Sequence, residues 1–258
     1  MLLDVLRNGR SSESDRLLAT EFAGDITVIN DELADALLSI LRSGEKSEEV
    51  RGSAAISLGP VLEHADTQGF EEADDLPISE HTFRRIQESL HGLYVDATIP
   101  KDVRRRILEA SARAPQAWHQ DAVRTAYAGD DEAWGLTAVF CMRFVRGFDE
   151  QILEALDSKN PDIHYEAVLA AGNWGVDTAW PHVAALLASE GTDKPLLLAA
   201  IDAAASIRPH EAAEMLEDLA DSDDEDIVAA VHEAMAMAEG ASGEDADDDF
   251  DDDDDSLH

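Results

Sequence analysis

Apolar residues recur along this chain with the spacing of amphipathic helices, and the helical pattern itself repeats about every thirty residues. Each copy has a branched or bulky anchor residue, followed by small apolar residues four, five, eight and nine positions later. The anchors are Val50, Val103, Trp134, Ile163, Leu196 and Ile227. They lie 29 to 33 residues apart, except for a gap of 53 residues between the first two. A fixed period in this range indicates stacked helical units that bury their apolar faces against one another.

The best-formed copy shows why its helices can pack closely. Val50, Ala54 and Leu58 fall on one helical stripe. Ala55 and Gly59 lie beside that stripe. Small side chains there allow a neighbouring helix to approach, as dense stacking of helix layers requires. No alternating pattern of strand length competes with the helical period. The sequence therefore predicts an all-α solenoid, an α-α superhelix of about six helix pairs.

The pattern divides the chain into three parts. We expect N-terminal capping helices in residues 1–30, the solenoid in residues 31–239 and a disordered polyacidic tail in residues 240–258. An acidic insertion at 66–78 explains the long gap between the first two anchors. The helix pairs are predicted at 31–64, 79–113, 116–146, 148–173, 177–207 and 210–238.

Polar residues and glycines mark the expected ends of these helices. Asp, Asn and Ser side chains accept hydrogen bonds from first-turn amides, and glycine commonly follows a helix end. The candidate N-cap or first-turn residues are Asp31, Ser79, Asp130, Asn160, Asp193 and Asp223. The candidate stops are Gly59, Gly147, Gly172 and Gly240.

The repeat resembles a known family of helical repeats. Val50-Arg51, Ala54-Ala55 and Leu58-Gly59 follow the D-x-x-V-R-x-x-A-A-x-x-L-G helix of short bacterial HEAT repeats, similar to those of phycobilisome lyases. The resemblance covers roughly residues 30–239, and it departs from the pattern at Trp134-Gly135, Ile163-His164 and Ser111. It implies a superhelix whose second helices line a concave surface, and a function in binding another protein.

Acidic residues dominate the charge of the chain. The formal net charge is −38, and residues 244–255 alone contain ten acids and no cation. Such a run repels itself, which favours disorder. The rest of the chain is still acidic, at about −28. Two explanations stay open, namely adaptation to high salt and a surface that attracts basic partners.

The cations concentrate between residues 84 and 146, where ten of the nineteen lie among eight acids. The resemblance to HEAT repeats places Arg105 and Arg106 on the concave groove, with Tyr165 and Glu166 at equivalent positions two repeats later. These four residues are the candidate partner-binding set, and an acidic peptide or the chain's own tail is a candidate ligand for the arginines. The alternative is that arginines near an anchor tether adjacent repeats, which is the favoured role of Arg104.

Metal and nucleic-acid chemistry find little support in the sequence. His210-Glu211 and His232-Glu233 resemble the metal-binding pairs of deoxyhypusine hydroxylase, a HEAT-repeat di-iron enzyme. That family uses four such pairs from both halves of the molecule, whereas this chain has two in one repeat, so the ligand count fails. A groove for nucleic acid must be strongly basic, which this chain is not. We therefore predict no cofactor, no metal and no nucleic-acid partner.

The single cysteine and the N-terminal sequence bear on the cellular compartment of the protein. Cys141 lies among apolar residues, so we expect a buried, inert thiol and a reducing compartment. Neither a signal peptide nor an apolar run long enough for a membrane span is evident. The sequence predicts a cytoplasmic protein that does not contact membranes.

These patterns predict a non-catalytic scaffold or adaptor that binds another protein along the concave face of the solenoid, and a basic protein is one candidate partner. A HEAT-like lyase, a chaperone or a metal-dependent enzyme of the same fold is one alternative. Binding of basic proteins through the polyacidic tail is another. The absence of a phosphate-binding loop, a nucleophile elbow and a Cys–His constellation favours the scaffold.

Overall fold

The computed structural model describes residues 2–8, 10–25, 28–70 and 76–244. Fifteen α-helices make up the regular structure of these residues together with two short 3-10 helices, and the same residues contain no strand. The all-α prediction is confirmed. The helices are α1 Leu2–Arg7, α2 Glu13–Asp25, α3 Asp31–Arg42, α4 Glu48–Ser57, α5 Gly59–Gln68, α6 Glu80–Val95, α7 Lys101–Ser111, α8 Ala117–Tyr127, α9 Glu132–Met142, α10 Asp149–Leu156, α11 Pro161–Asn173, α12 Trp180–Ala188, α13 Lys194–Ile207, α14 Pro209–Leu216 and α15 Glu225–Glu244.

The chain forms two compact units, Met1–Val145 and Arg146–His258. In the N-terminal unit, α2, α4, α7 and α9 pack successively against one another, and we call this row the B layer. The A layer consists of α1, α3, α6 and α8, each packed against the B helix that follows it. The extra helix α5 packs against α7. This arrangement is the predicted stack of helix pairs, with anchors such as Val50 and Val103 fully buried between the layers.

The C-terminal unit repeats the arrangement with six helices. Its B layer is α11, α13 and α15, and its A layer is α10, α12 and α14. Of the predicted tail, residues 240–244 form the end of α15, and residues 245–258 lie outside the described part of the chain. Of the predicted insertion, residues 66–68 end α5, and residues 71–75 likewise lie outside the described residues.

Very close helix contact explains the small residues of the B layer. A Cβ atom on Gly172 would lie 2.7 Å from the Cα and 2.9 Å from the Cβ of Ala203. Helices α11 and α13 therefore touch backbone to backbone at this point. The buried alanines of the two helices provide the same close fit elsewhere, and they include Ala167, Ala170, Ala171, Ala199, Ala200, Ala203 and Ala204.

The helix starts follow the predicted chemistry with small shifts in position. Ser79, Asn160 and Asp193 accept hydrogen bonds from the first-turn amides of α6, α11 and α13. Asn30 caps α3, so that Asp31 becomes a first-turn acid. Asp131, one residue beyond the predicted Asp130, caps α9. Asp224, again one residue beyond the prediction, accepts from the backbone amide of Asp226 at 3.0 Å.

Three of the four predicted glycine stops have other roles. Gly59 begins α5, Gly172 lies inside α11 and Gly240 lies inside α15. Gly147 has the left-handed backbone expected of a stop, with φ of 91°. After α11 that conformation falls on Gly175, with φ of 56°.

Candidate functional site

A groove opens on the B layer of the N-terminal unit, between α2, α4 and α7. The cavity has a volume of about 620 Å³. We call it the α2/α4/α7 groove. Its lining residues are Leu17, Glu21, Glu48, Glu49, Gly52, Ser53, Ile56, Asp102, Arg105 and Arg106.

Helical periodicity places these side chains on one face. Leu17 and Glu21 are four residues apart on α2, as are Gly52 and Ile56 on α4. Residues with this spacing lie one above the other on the same side of a helix. Since the anchors of α4 and α7 are buried between the layers, the groove residues form the opposite, solvent-facing side of the B layer.

Arg105 and Arg106 share one carboxylate partner at the wall of the groove. The Glu109 side chain is only 8% exposed, and it accepts hydrogen bonds from Nη1 of Arg105 at 2.9 Å and from Nη1 of Arg106 at 2.7 Å. Thr137 on α9 donates its hydroxyl to the same carboxylate and accepts from Arg105 at 3.0 Å. We call these four residues the Glu109 cluster.

The Glu109 cluster changes the expected role of Arg105. Its side chain is 13% exposed, and its contacts connect α7 to α9 of the next repeat. This is the tethering arrangement that the sequence analysis favoured for Arg104. Arg106 is 45% exposed and reaches the groove, and it shares the single negative charge of Glu109 with Arg105.

The predicted partner-binding residues fall into two groups. Arg105 and Arg106 line the groove of the N-terminal unit. Tyr165 and Glu166 lie on α11 of the C-terminal unit, where both are partly exposed. Of the four predicted residues, only the two arginines therefore line this groove. Its other lining residues were not predicted from the sequence.

The groove is acidic despite its two arginines. Glu21, Glu48 and Glu49 are exposed, and none of them forms an ion pair with another described residue. With Asp102 and Glu109, five carboxylates stand against two guanidinium groups. This charge disfavours the acidic peptide that the concentration of cations between residues 84 and 146 suggested.

Apolar side chains lie beside these carboxylates. Leu17 and Ile56 contribute to the lining, and Ile56 is 38% exposed. Next to them on α2, Leu18 and Phe22 are 53% and 44% exposed and lie one helical turn apart. Exposed apolar groups ringed by charge mark surfaces that bind other molecules. The arrangement suits a ligand that is both cationic and apolar.

A buried serine–histidine pair in the same unit has a structural role. His119 is fully buried, and its Nδ1 accepts the backbone N–H of Gln116 at 2.8 Å. Its Nε2 therefore carries the proton and lies 3.0 Å from Oγ of Ser111. Burial lowers the pKa of His119 to about 4, so the ring is neutral. No substrate reaches this pair, which fastens the start of α8 to the end of α7.

Trp118 and Trp174 are partly exposed and pack against neighbouring aromatic rings or a guanidinium group. Trp118 stacks against His91 at a centroid distance of 4.8 Å, and the tilted ring of Tyr94 lies 5.0 Å from it. In the C-terminal unit, the guanidinium of Arg146 lies 4.6 Å from the ring centroid of Trp174. Cys141 is buried as expected.

The described part of the chain contains neither a cluster of three metal-binding side chains nor a helix that could span a membrane. Among its residues, no group of three or more His, Cys, Asp or Glu side chains has an arrangement suited to a metal ion. His210-Glu211 lies on α14 and His232-Glu233 on α15. Within the same part of the chain, no helix is both long and apolar enough to cross a bilayer.

Comparison with protein families identifies the repeats. Residues 150–236 match the family model of HEAT repeats. These residues are HEAT repeats. The match runs from the first turn of α10 into α15, and it confirms the predicted resemblance for these residues, which contain the anchors Ile163, Leu196 and Ile227. No curated protein matches the sequence.

Solved structures of helical proteins are similar to the chain at low identity. Human deoxyhypusine hydroxylase in complex with glycerol is 16% identical, with a TM-score of 0.43, over 93% of this chain and 84% of that one. An engineered protein is 17% identical, with a TM-score of 0.37, over 93% of this chain and 95% of that one. At these scores the similarity carries no conclusion about activity.

Proposed function

We propose that this HEAT-repeat protein is a non-catalytic scaffold that binds a basic, partly apolar segment of a partner protein in the α2/α4/α7 groove. The observation that carries the proposal is the set of exposed carboxylates without ion-pair partners, Glu21, Glu48 and Glu49, beside the apolar side chains Leu17 and Ile56. A Lys- or Arg-rich amphipathic helix complements both features, since it presents an apolar face flanked by cations.

The two chemical features of the groove have different roles in binding. The carboxylates attract a cationic segment over a distance and select against acidic ones, which raises the association rate and sets partner choice. The apolar contacts provide affinity by removing hydrocarbon surface from water. Glu109 offsets one of the two positive charges of Arg105 and Arg106, which reduces their repulsion of a cationic ligand.

A peptide-binding assay with full-length protein tests the proposal. Fluorescence anisotropy of a labelled Lys/Leu amphipathic helix is compared with that of a Glu/Leu helix of the same length. We expect the Lys/Leu helix to bind and the Glu/Leu helix not to bind. Equal affinity for both helices would overturn the proposal.

A set of variants locates the binding. In the triple variant E21Q/E48Q/E49Q, the affinity for the Lys/Leu helix falls roughly tenfold, because exposed ion pairs contribute about 0.5 kcal/mol each. The control E45Q/E88Q/E214Q makes the same charge change on exposed acids outside the groove and leaves the affinity nearly unchanged. If truncation after Glu244 abolishes binding while the groove variant does not, the polyacidic tail is the binding element and the groove proposal is wrong.

A further inference from the structure

Two histidines face each other in the C-terminal unit. His164 on α11 and His182 on α12 have their Nε2 atoms 2.7 Å apart. The rings meet edge to face, at a centroid distance of 4.9 Å and an interplanar angle of 82°. Both side chains are partly exposed, so the pair is accessible from solvent. The residues are eighteen positions apart in sequence and belong to consecutive repeats.

The contact between the two Nε2 atoms constrains their protonation. One Nε2 must carry a hydrogen and the other must present its lone pair, so the two neutral rings are different tautomers. Moving the first proton to Nδ1 of its own ring leaves a lone pair on each Nε2, and rotation of the rings directs both lone pairs at one ion. Convergent imidazole lone pairs are a ligand set for a borderline divalent cation.

The distance between the nitrogens is close to the one that a metal ion needs. With metal–nitrogen bonds of about 2.0–2.1 Å, two cis ligands at 90° are about 2.9 Å apart, and tetrahedral ligands are about 3.3 Å apart. The observed separation of 2.7 Å is somewhat shorter than either value, so both rings must turn and move slightly apart when an ion binds.

We propose that His164 and His182 bind one borderline divalent metal ion, such as Zn²⁺, through their Nε2 atoms. Water completes the coordination shell on the exposed side. Asp157, an exposed carboxylate at the end of α10, acts electrostatically on both rings and adds negative charge next to the ion. Because both rings are neutral before and after binding, the tautomer shift releases no net proton.

The surroundings of the pair keep it ready for a metal at neutral pH. Burial lowers the pKa of His164, and the neighbouring His182 ring lowers it further, against the opposing effect of Asp193 and Asp157. Burial also lowers the pKa of His182. A protonated imidazole has no lone pair for a metal, so these shifts extend the pH range in which the site is competent.

A bound ion would fasten two repeats together. His164 belongs to the B layer of one repeat and His182 to the A layer of the next. The site lies in the C-terminal unit, so it is separate from the groove of the proposed function. It also differs from His210-Glu211 and His232-Glu233, the pairs that resemble a metal-binding motif in the sequence.

Calorimetric titration of metal-free, full-length protein with ZnCl₂ tests this proposal. We expect one Zn²⁺ site whose affinity falls at least tenfold in H164Q and, separately, in H182Q, because loss of even an outer-shell partner costs about 10–100-fold. The control H81Q removes an exposed histidine on α6 and leaves the affinity unchanged. Excess Mg²⁺, which prefers oxygen ligands, does not compete for the site.

A second measurement reads the nitrogens directly in the wild-type protein. In a long-range ¹H–¹⁵N NMR spectrum, Zn²⁺ shifts the Nε2 resonances of His164 and His182 and leaves those of His119 unmoved. If neither resonance moves, or if the isotherm is the same in wild type, H164Q and H182Q, the pair is a hydrogen bond alone and the proposal is overturned.

Discussion

At the scale of one residue, the buried carboxylate of Glu109 connects two neighbouring repeats. Glu109 receives hydrogen bonds from two arginines and a threonine, and its side chain is 8% exposed. A charge buried to this degree is stable only while its partners remain. The partners on α7 follow from helical spacing, since Arg105 and Arg106 precede Glu109 by four and three residues. Thr137 comes from the next repeat, and no sequence spacing predicts it.

The first prediction concerns the loss of this carboxylate. E109Q leaves the Arg105 guanidinium buried without a counter-charge, so we expect a loss of about 3 kcal/mol in the free energy of unfolding. The control R106Q removes the more exposed arginine of the same cluster and costs less than about 1 kcal/mol. Urea unfolding followed by circular dichroism measures both. Equal losses in the two variants would contradict the tethering role of the Glu109 cluster.

The second prediction concerns pH and His119. Its pKa in the folded protein is about 4, below the ordinary value of 6.5, so the unfolded chain binds the proton more readily between these pH values. Stability is therefore complete above pH 6.5 and is lost as the pH falls towards 4. At pH 5 the loss from this one group is about 2 kcal/mol.

The variant H119Q isolates this contribution. It is less stable than wild type at pH 7, because the hydrogen bond to Ser111 is altered, but its stability falls less between pH 7 and pH 5. The difference in the two slopes, measured by urea unfolding, is expected to be about 2 kcal/mol over this interval. Parallel slopes would mean that His119 does not resist protonation.

At the scale of the helix, the sequence predicted which segments pair but not every reason for their composition. The period of the anchors and the polar residues at helix starts locate six of the seven pairs of the described residues, because burial and capping are local requirements. The remaining pair is α1 and α2, which the sequence suggested as capping helices. Glycine was ambiguous, since it serves both as a helix stop and as a site of close approach. Gly172 serves the second purpose, which only the position of Ala203 reveals.

The third prediction compares two glycines inside helices. G172A places a Cβ atom 2.7 Å from the backbone of α13, so we expect a net loss of about 1–3 kcal/mol in stability. G92A, on the exposed side of α6, meets nothing within 4 Å and is expected to stabilise the protein by up to about 1 kcal/mol. Thermal unfolding of the two variants and the wild type distinguishes them. A stabilising G172A would show that α11 and α13 are not in close contact.

At the scale of the whole molecule, the charge of the chain is the main argument for the kind of partner that we propose. The net charge of −38 indicates either salt adaptation or attraction of cations, and the sequence leaves both open. The local concentration of arginines suggested an acidic ligand, but the ion pairs of the Glu109 cluster withdraw two of them from that role. Such pairing depends on which helices become neighbours, so counting charges along the chain does not predict it. The groove between α2, α4 and α7 likewise emerges only when three separate helices are brought together.

The fourth prediction is that the groove loses affinity for a cationic ligand as salt increases. The Debye length falls from about 10 Å at 0.1 M salt to about 3 Å at 1 M, so the exposed carboxylates are progressively screened. Binding of the Lys/Leu helix weakens over this range in wild type and weakens less in E21Q/E48Q/E49Q. Isothermal titration at several salt concentrations gives both slopes. Identical slopes would assign the salt dependence to charges outside the groove.

Site-specific photo-crosslinking tests the central claim most directly, because it reports where a ligand lies. A benzophenone side chain is placed at Ile56 in the groove or at Val95, an exposed apolar residue at the end of α6. Each protein is irradiated with the Lys/Leu helix, and the products are measured by mass spectrometry. We predict that the peptide crosslinks at position 56 and not at position 95, with a yield that falls in high salt. Crosslinking at position 95 alone, or equally at both positions, would contradict the assignment of the α2/α4/α7 groove as the binding site.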